Sequence, residues 1–311
     1  MTKQPPWTAE HIPDQTRRVF VVTGATSGLG LATTRALARK GAHVILAVRD
    51  EHKARRAVEQ ITAEQPGAHL EVRRLDLADL DSVRAFADGL HSDRGRLDGL
   101  INNAGVMAPP RTLSAQGHEL QFAVNHLAHF ALTGLLLDLL AEGNDSRVVT
   151  VSSTNHRQGR LLFDDLSGER TYAPMAFYNQ SKFANAVFGR ELHRRLTAAG
   201  SPVRSMLAHP GYTATNLQTS APVGLVKLLY GRLLIPLAQS PDRGALPQLY
   251  AATAPDAAGG QFFGPDGMGE LRGAPKRVPL APAADDAETG RRLWELSERL
   301  TAVRFALPAA G

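Results

Sequence analysis

Between Arg18 and Ala208, short apolar runs alternate with longer segments of helical periodicity. This alternation constrains the fold more than any other feature. The runs Arg18–Thr23, His43–Val48, His69–Leu75, Leu97–Asn102, Arg147–Ser152 and Val203–Ala208 read as strands, and Gln261–Phe263 as an added edge strand. Helical patterns fall near Leu29–Lys40, Glu51–Glu64, Leu80–Leu90, Ser114–Ala141 and Ala173–Ala199, with a final amphipathic helix over Asp286–Ala302. Strands joined through helices make right-handed crossovers and a parallel sheet covered on both faces. The prediction is one α/β domain of 311 residues, a doubly wound parallel sheet of about seven strands. No repeat or linker divides it, and the Ala/Pro-rich stretches Ala254–Gly260 and Pro279–Ala284 read as surface connections.

Composition narrows the class. With no cysteine, disulfides and thiolate metal sites are excluded. The polar start, Met1 to Asp14, lacks a secretory signature, and no run of about 18 apolar residues suggests a membrane span. The expectation is a soluble, cytoplasmic protein. A net charge of +5, spread along the chain, suits a phosphate-bearing ligand better than nucleic acid, for which no motif is present.

The first strand runs into Thr23-Gly24-Ala25-Thr26-Ser27-Gly28-Leu29-Gly30. Glycines let the backbone approach a pyrophosphate, and the helix that follows offers N–H donors and the positive end of its dipole. The second strand ends Ala47-Val48-Arg49-Asp50. An acid at Val48 would hold the ribose 2′-hydroxyl of NAD, whereas Arg49 can pair with a 2′-phosphate. The expected cofactor is NADP(H), with Asp50 keeping NAD(H) open.

In Tyr178-x-x-x-Lys182 the lysine lies one helical turn on, where its charge favours tyrosinate; alone, such a pair is common on helix surfaces. Together the motifs resemble those of the classical short-chain dehydrogenase/reductase family. The resemblance covers about Phe20 to Ala254 and rests on the glycine turn, Asp76-Leu77, Asn102-Asn103-Ala104-Gly105, Asn125, Ser153, Tyr178/Lys182 and Pro210-Gly211, in the family's order. The stretch Val124-Asn125-His126-Leu127-Ala128-His129-Phe130 is similar to the retinol-dehydrogenase and protochlorophyllide-reductase-like branch, which has a glycine where this chain has Ala128.

The resemblance implies a carbonyl reductase or alcohol dehydrogenase. Tyr178 is the acid/base and Lys182 also binds the nicotinamide ribose. Ser153, not its neighbour Ser152, bonds the substrate oxygen, and Asn125 holds a water that relays protons towards Lys182. Gly24, Thr26, Ser27, Gly28, Leu29 and Gly30 take the pyrophosphate; Asp76 and Leu77 face adenine; Asn103, Ala104 and Gly105 lie near the adenine ribose. Pro210, Gly211, Tyr212 and Thr215 reach the nicotinamide end or the pyrophosphate. Each has a plainer alternative: a helix-start cap at Asp76, a purely structural Asn103, a satisfied buried amide at Asn125, an ordinary Pro-Gly turn.

His126 and His129 read as core and Asp164-Asp165 as a solvated loop. The Leu-, Val- and Ile-rich Asn216–Gln239, with Lys227 and Arg232, reads as a substrate lid rather than a membrane-touching helix, and predicts a small lipophilic substrate. The resemblance allows a homodimer through the two long helices, with residues after Phe263 as an extension. Reduction of a C=C bond, a catalytically silent NADP(H)-binding sensor or scaffold, and a sugar epimerase are the lesser alternatives.

Overall fold

The computed structural model describes residues 6–213 and 238–307. Eight strands form one sheet in the order β3-β2-β1-β4-β5-β6-β7-β8. They are β1 (Val19–Thr23), β2 (His43–Val48), β3 (His69–Arg74), β4 (Gly99–Asn102), β5 (Arg147–Val151), β6 (Arg204–Ala208), β7 (Phe262–Pro265) and β8 (Pro275–Arg277). The first seven run parallel and β8 returns antiparallel to β7. The doubly wound α/β sheet is therefore as the alternation predicts, with one further edge strand.

Strand alternation sorts the core into two layers. Val21, Ile45, Leu100 and Val148 face one side, where they meet α3 (Leu80–Asp93) and the long helices described below. Phe20, Val22, Val44, Leu46, Ile101 and Val149 face the other, against α1 (Gly28–Arg39) and α2 (Glu51–Glu64). α2 and α3 start on side chains that take up first-turn N–H groups: Asp50 accepts from Lys53 and Asp79 from Asp81.

The helix expected from Ser114 instead begins at Leu120. The chain turns back at Gly117 (φ +80°), an antiparallel bridge joins Leu113 to Glu119, and the Glu119 carboxylate accepts from Phe122 N–H. From there α4 runs through Leu120–Phe122, a π-helical turn at Ala123–Leu127 and Ala128–Leu135, followed by α5 (Leu137–Ala141). The π turn is centred on Asn125. Next come α6 (Pro174–Ala198) and, after a short turn at Pro241–Gly244, α7 (Leu246–Thr253), which the proline and alanine content hides in the sequence.

The last helix, α8 (Ala287–Thr301), packs on α4 and α6. Trp294 meets Phe130 and Phe188, and Ser297 meets His126. It thus covers part of the two helices expected to carry a dimer contact. Thr215 and the expected lid, apart from Ala238 and Gln239, lie outside the described residues. Among the described residues no helix is long and apolar enough to cross a membrane.

Both α4 histidines are core residues. Burial pushes His126 down to about 3 and His129 to about 4. In the unfolded chain each titrates near 6.5, so as pH falls the unfolded state takes up protons first. Their contribution is intact above about 6.5 and is lost as pH falls towards about 4. Calorimetry is expected to show Tm falling between roughly pH 6.5 and pH 5, with a shallower slope in His126→Gln. An unchanged slope in that variant contradicts the assignment.

Candidate functional site

The sheet order reverses between β1 and β4, so the loops leaving their C-terminal ends diverge and open a crevice. The glycine turn occupies one side. Gly24 sits at φ +67°, and a Cβ there would lie 3.0 Å from the Ala104 Cβ. At Gly30 a Cβ would fall 2.2 Å from the Gly24 carbonyl oxygen, so only glycine lets α1 begin this close to β1. Ser27 is the N-cap of α1 in extended backbone, and its side chain bonds no helix N–H. The first turn of α1, at Gly28, Leu29 and Gly30, therefore keeps the uncapped donors that an anion would fill, with Thr26 and Ser27 beside them.

Thr23 ties this turn to the floor of the crevice. Its hydroxyl accepts from the N–H groups of Asn103 and Ala104 at 3.0 and 2.9 Å, and donates to His129 Nε2 at 3.0 Å. His129 Nδ1–H in turn donates to the Asn125 carbonyl at 3.0 Å. The Asn103 amide donates to the Thr23 carbonyl at 2.8 Å and accepts from Gln248 at 3.2 Å. Asn103 is thus a structural link between β1, β4 and α7.

Asn125 has both side-chain N–H groups engaged, with the Val106 carbonyl at 3.0 Å and Ser181 Oγ at 2.8 Å, while its Oδ1 accepts from Val106 N–H at 2.8 Å. The buried amide thereby joins α4 to the loop after β4 and to α6. Gly105 keeps one approach open: a Cβ there would lie 3.1 Å from Asn125 Oδ1 and 3.5 Å from Lys182 Nζ. The absent side chain leaves space between the two groups.

The two serines after β5 separate as alternation requires. Ser152 is buried and donates to the Lys182 carbonyl at 2.8 Å. Ser153 caps a 3₁₀ turn, Thr154–Gln158, where its hydroxyl accepts from Asn155 N–H at 3.2 Å, and it lies near enough to Tyr178 to influence the phenol. Tyr178 and Lys182 lie one turn apart on the buried face of α6. The ammonium sits 5.9 Å from the centre of the tyrosine ring and donates to the Val151 carbonyl at 3.1 Å. Burial pulls Lys182 down to about 8 and pushes Tyr178 up to about 12; the nearby Ser153 hydroxyl opposes the second shift. The lowering of the phenol expected from Lys182 is not seen in the protein by itself, where burial sets the direction.

At the adenosine end, Asp76 forms a local turn by accepting from Ala78 N–H at 3.0 Å, and Leu77 is buried beside it. Asp76 is not the helix cap, which is Asp79. Asp50 caps α2, which leaves exposed Arg49 as the free group at the end of β2. Arg74, unnoticed in the sequence, ends β3 opposite Val48. Leu70 and Val72 pack on the α1/α2 side, and alternation carries Arg74 onto the same side. That 70/72/74 spacing is the signal that could have found it. Among the described residues neither arginine has a hydrogen-bond or ion-pair partner. Pro210, Gly211 and Tyr212 leave the C-terminal end of β6, on the same edge of the sheet as the glycine turn, with Gly211 at φ +66°.

The chain matches the short chain dehydrogenase family over residues 18–223. It is 40% identical to human retinol dehydrogenase 14 over 297 residues, 90% of this chain and 85% of that one. The structure of an uncharacterised protein from Mycobacterium paratuberculosis is similar to it with a TM-score of 0.81 and 45% identity, over 97% of this chain and 100% of that one. A short chain dehydrogenase from Shigella flexneri complexed with NADP is similar with a TM-score of 0.64 and 26% identity, over 80% and 97% of the two chains. The chain belongs to the short-chain dehydrogenase family, in the branch that holds the retinol dehydrogenases. It is an oxidoreductase of the hydride-transfer type acting on an alcohol or carbonyl group of a small molecule, in a family that uses NAD(P)(H).

The crowding at Gly30 gives a direct test of the turn. Overpacking costs about 1–3 kcal/mol, and here the clash is with backbone. Gly30→Ala is expected to lower Tm and to abolish binding of a nicotinamide dinucleotide in a fluorescence titration; wild-type binding contradicts the geometry.

Proposed function

We propose that the protein is an NADP(H)-dependent dehydrogenase/reductase that interconverts a lipophilic ketone or aldehyde with its alcohol, using Tyr178 as acid and base. One observation carries this reading: Tyr178 and Lys182 share the buried face of α6, with the ammonium 5.9 Å from the tyrosine ring and bonded to the Val151 carbonyl rather than to a carboxylate, beside the turn that Ser153 caps.

When bound, the reduced nicotinamide supplies the hydride. Everything else is work for the chain. Ser153 and Tyr178 both present O–H groups, so an incoming carbonyl oxygen can be bonded by two donors as it gains negative charge. Tyr178 then gives up its proton. The phenol at about 12 keeps that proton at neutral pH, which suits an acid. Lys182, positive below about 8, stabilises the tyrosinate left behind. The space that Gly105 leaves between Asn125 Oδ1 and Lys182 Nζ suits a water through which the proton is replaced. In the opposite direction the same groups take a proton from an alcohol.

Gly24, Thr26, Ser27, Gly28, Leu29 and Gly30 hold the pyrophosphate at the uncapped start of α1. Asp76 and Leu77 flank the adenine, Asn103, Ala104 and Gly105 form the floor, and Pro210, Gly211, Tyr212 and Thr215 meet the nicotinamide end. Arg49, joined by Arg74, selects the 2′-phosphate, since Asp50 is already spent as a helix cap. The lipophilic substrate class is supported by the apolar Asn216–Gln239 sequence and by similarity to retinol dehydrogenases, whose named substrate is an apolar alcohol.

Three outcomes test this reading. Tyr178→Phe is expected to bind NADPH normally and to lose about 10²–10⁴-fold in turnover of a hydrophobic aldehyde, the usual share of general acid catalysis; full activity contradicts the mechanism. Arg49→Ala should weaken NADPH about tenfold or more with NADH unchanged, as expected for a lost charged hydrogen bond. Equal loss for both cofactors contradicts the assignment. Because the Lys182 charge is lost above its pKa, kcat/KM for carbonyl reduction should be level below about pH 8 and fall above it. A profile level well beyond that point contradicts the role given to the lysine.

A further inference from the structure

Beyond these motifs, a second polar cluster spans the far side of the crevice. It is built by the loop between β7 and β8. Asp266 closes that loop by accepting from Ala274 N–H at 2.9 Å, and Gly267 N–H donates to the Arg272 carbonyl at 2.9 Å. At its tip Gly269 and Glu270 both take positive φ, +65° and +57°. A non-glycine residue is held this way only where its surroundings determine it.

What holds Glu270 is its carboxylate. Both oxygens accept from Arg157 Nη2, at 2.9 and 2.7 Å, and Oε2 also accepts from His209 Nε2–H at 3.0 Å. His209 has a fully buried side chain. Its other nitrogen, Nδ1, accepts from Gly211 N–H at 3.2 Å, so the ring is the neutral tautomer with both nitrogens used. The next residue of the loop completes the contact: the Leu271 carbonyl accepts from Tyr212 N–H at 2.8 Å. Gly211 must be glycine beneath it, because a Cβ would come within 2.5 Å of the Leu271 oxygen.

The other arm leads to Ser153. Arg157 belongs to the 3₁₀ turn that Ser153 caps, and in the same turn His156 Nδ1–H donates to the Ser153 carbonyl at 2.6 Å. The Phe262 ring lies edge-on between His156 and His209, with ring centres 5.2 Å from each. One carboxylate therefore bonds a residue of the Ser153 turn and a residue next to Pro210.

We propose that Glu270 is a positioning residue that locks the Pro210-Gly211-Tyr212 turn to the turn carrying Ser153. The nicotinamide end of the cofactor site and the oxygen-binding face are thereby held as one unit by the C-terminal extension. This inference rests on the reading that Pro210 to Tyr212 meets the nicotinamide end.

The test uses the full chain, NADPH fluorescence titration and steady-state turnover of a hydrophobic aldehyde. Glu270→Ala is expected to raise both the Kd and the KM for NADPH about tenfold, with kcat at saturating NADPH changed by no more than about threefold. Glu270→Asp should recover part of the loss. Arg157→Gln, at a half-exposed side chain that removes one arm only, should give a smaller rise in KM and decides the matter if Glu270→Ala does not fold. A variant that lowers Tm but binds NADPH as the wild type does, or loses kcat with KM unchanged, overturns the proposal. If the wild-type protein binds no NADPH, the functional reading falls and this inference with it; if it does bind and both variants match it, only the inference falls.

Discussion

The hydroxyl of Thr23 is the point on which the crevice depends. It sits at the C-terminal end of the first strand, fully buried, and serves three partners at once: two backbone N–H groups after β4 and one imidazole on α4. The loop after β4 and helix α4 are thereby fixed to the glycine turn that follows directly. The imidazole continues the link to the Asn125 carbonyl, and the Asn125 side chain continues it to Ser181, between Tyr178 and Lys182. A run of hydrogen bonds therefore joins the glycine turn to the helix turn of Tyr178 and Lys182. Each bond adds about 1 kcal/mol, but leaving a buried partner without one costs more, so the set acts together.

The same burial sets the electrostatics. Lys182 is almost inaccessible and its ammonium is bonded to the carbonyl of Val151 rather than to an anion. Desolvation lowers its pKa towards the working pH, which makes its charge responsive to what binds beside it. The phenol of Tyr178 moves the opposite way for the same reason, because burial always disfavours the charged form. Ser152 and Ser153 show how strand alternation separates neighbours: one hydroxyl anchors α6 from within, the other caps the turn beside Tyr178.

Much of this was legible in the sequence because it is local. Strand alternation, the glycine turn and the four-residue spacing of Tyr178 and Lys182 each have a short-range signature, and the sheet and the meeting of these groups follow from it. What stayed hidden is long-range. The start of α4 at Leu120 rests on Glu119 acting as a cap rather than as a helix residue. The π turn at Asn125 has no periodicity to announce it. Strand β8 is three residues long with two of them charged, so its hydropathy is that of a loop. Glu270, Arg157 and His209 come from three segments, and only folding makes them one cluster.

The account stands or falls on the hydroxyl at the centre of it. Thr23→Val keeps the shape of the side chain and removes only the oxygen, so its effect isolates the hydrogen bonds. The Ala104 N–H and one imidazole nitrogen would then lack this partner, at about 1–3 kcal/mol each, while Asn103 N–H keeps the Ile101 carbonyl. The measurement is NADPH affinity by fluorescence titration beside Tm by calorimetry for Thr23→Val and the wild type. The account predicts a lower Tm together with an affinity reduced at least about tenfold. Wild-type affinity in a stably folded Thr23→Val protein would contradict it.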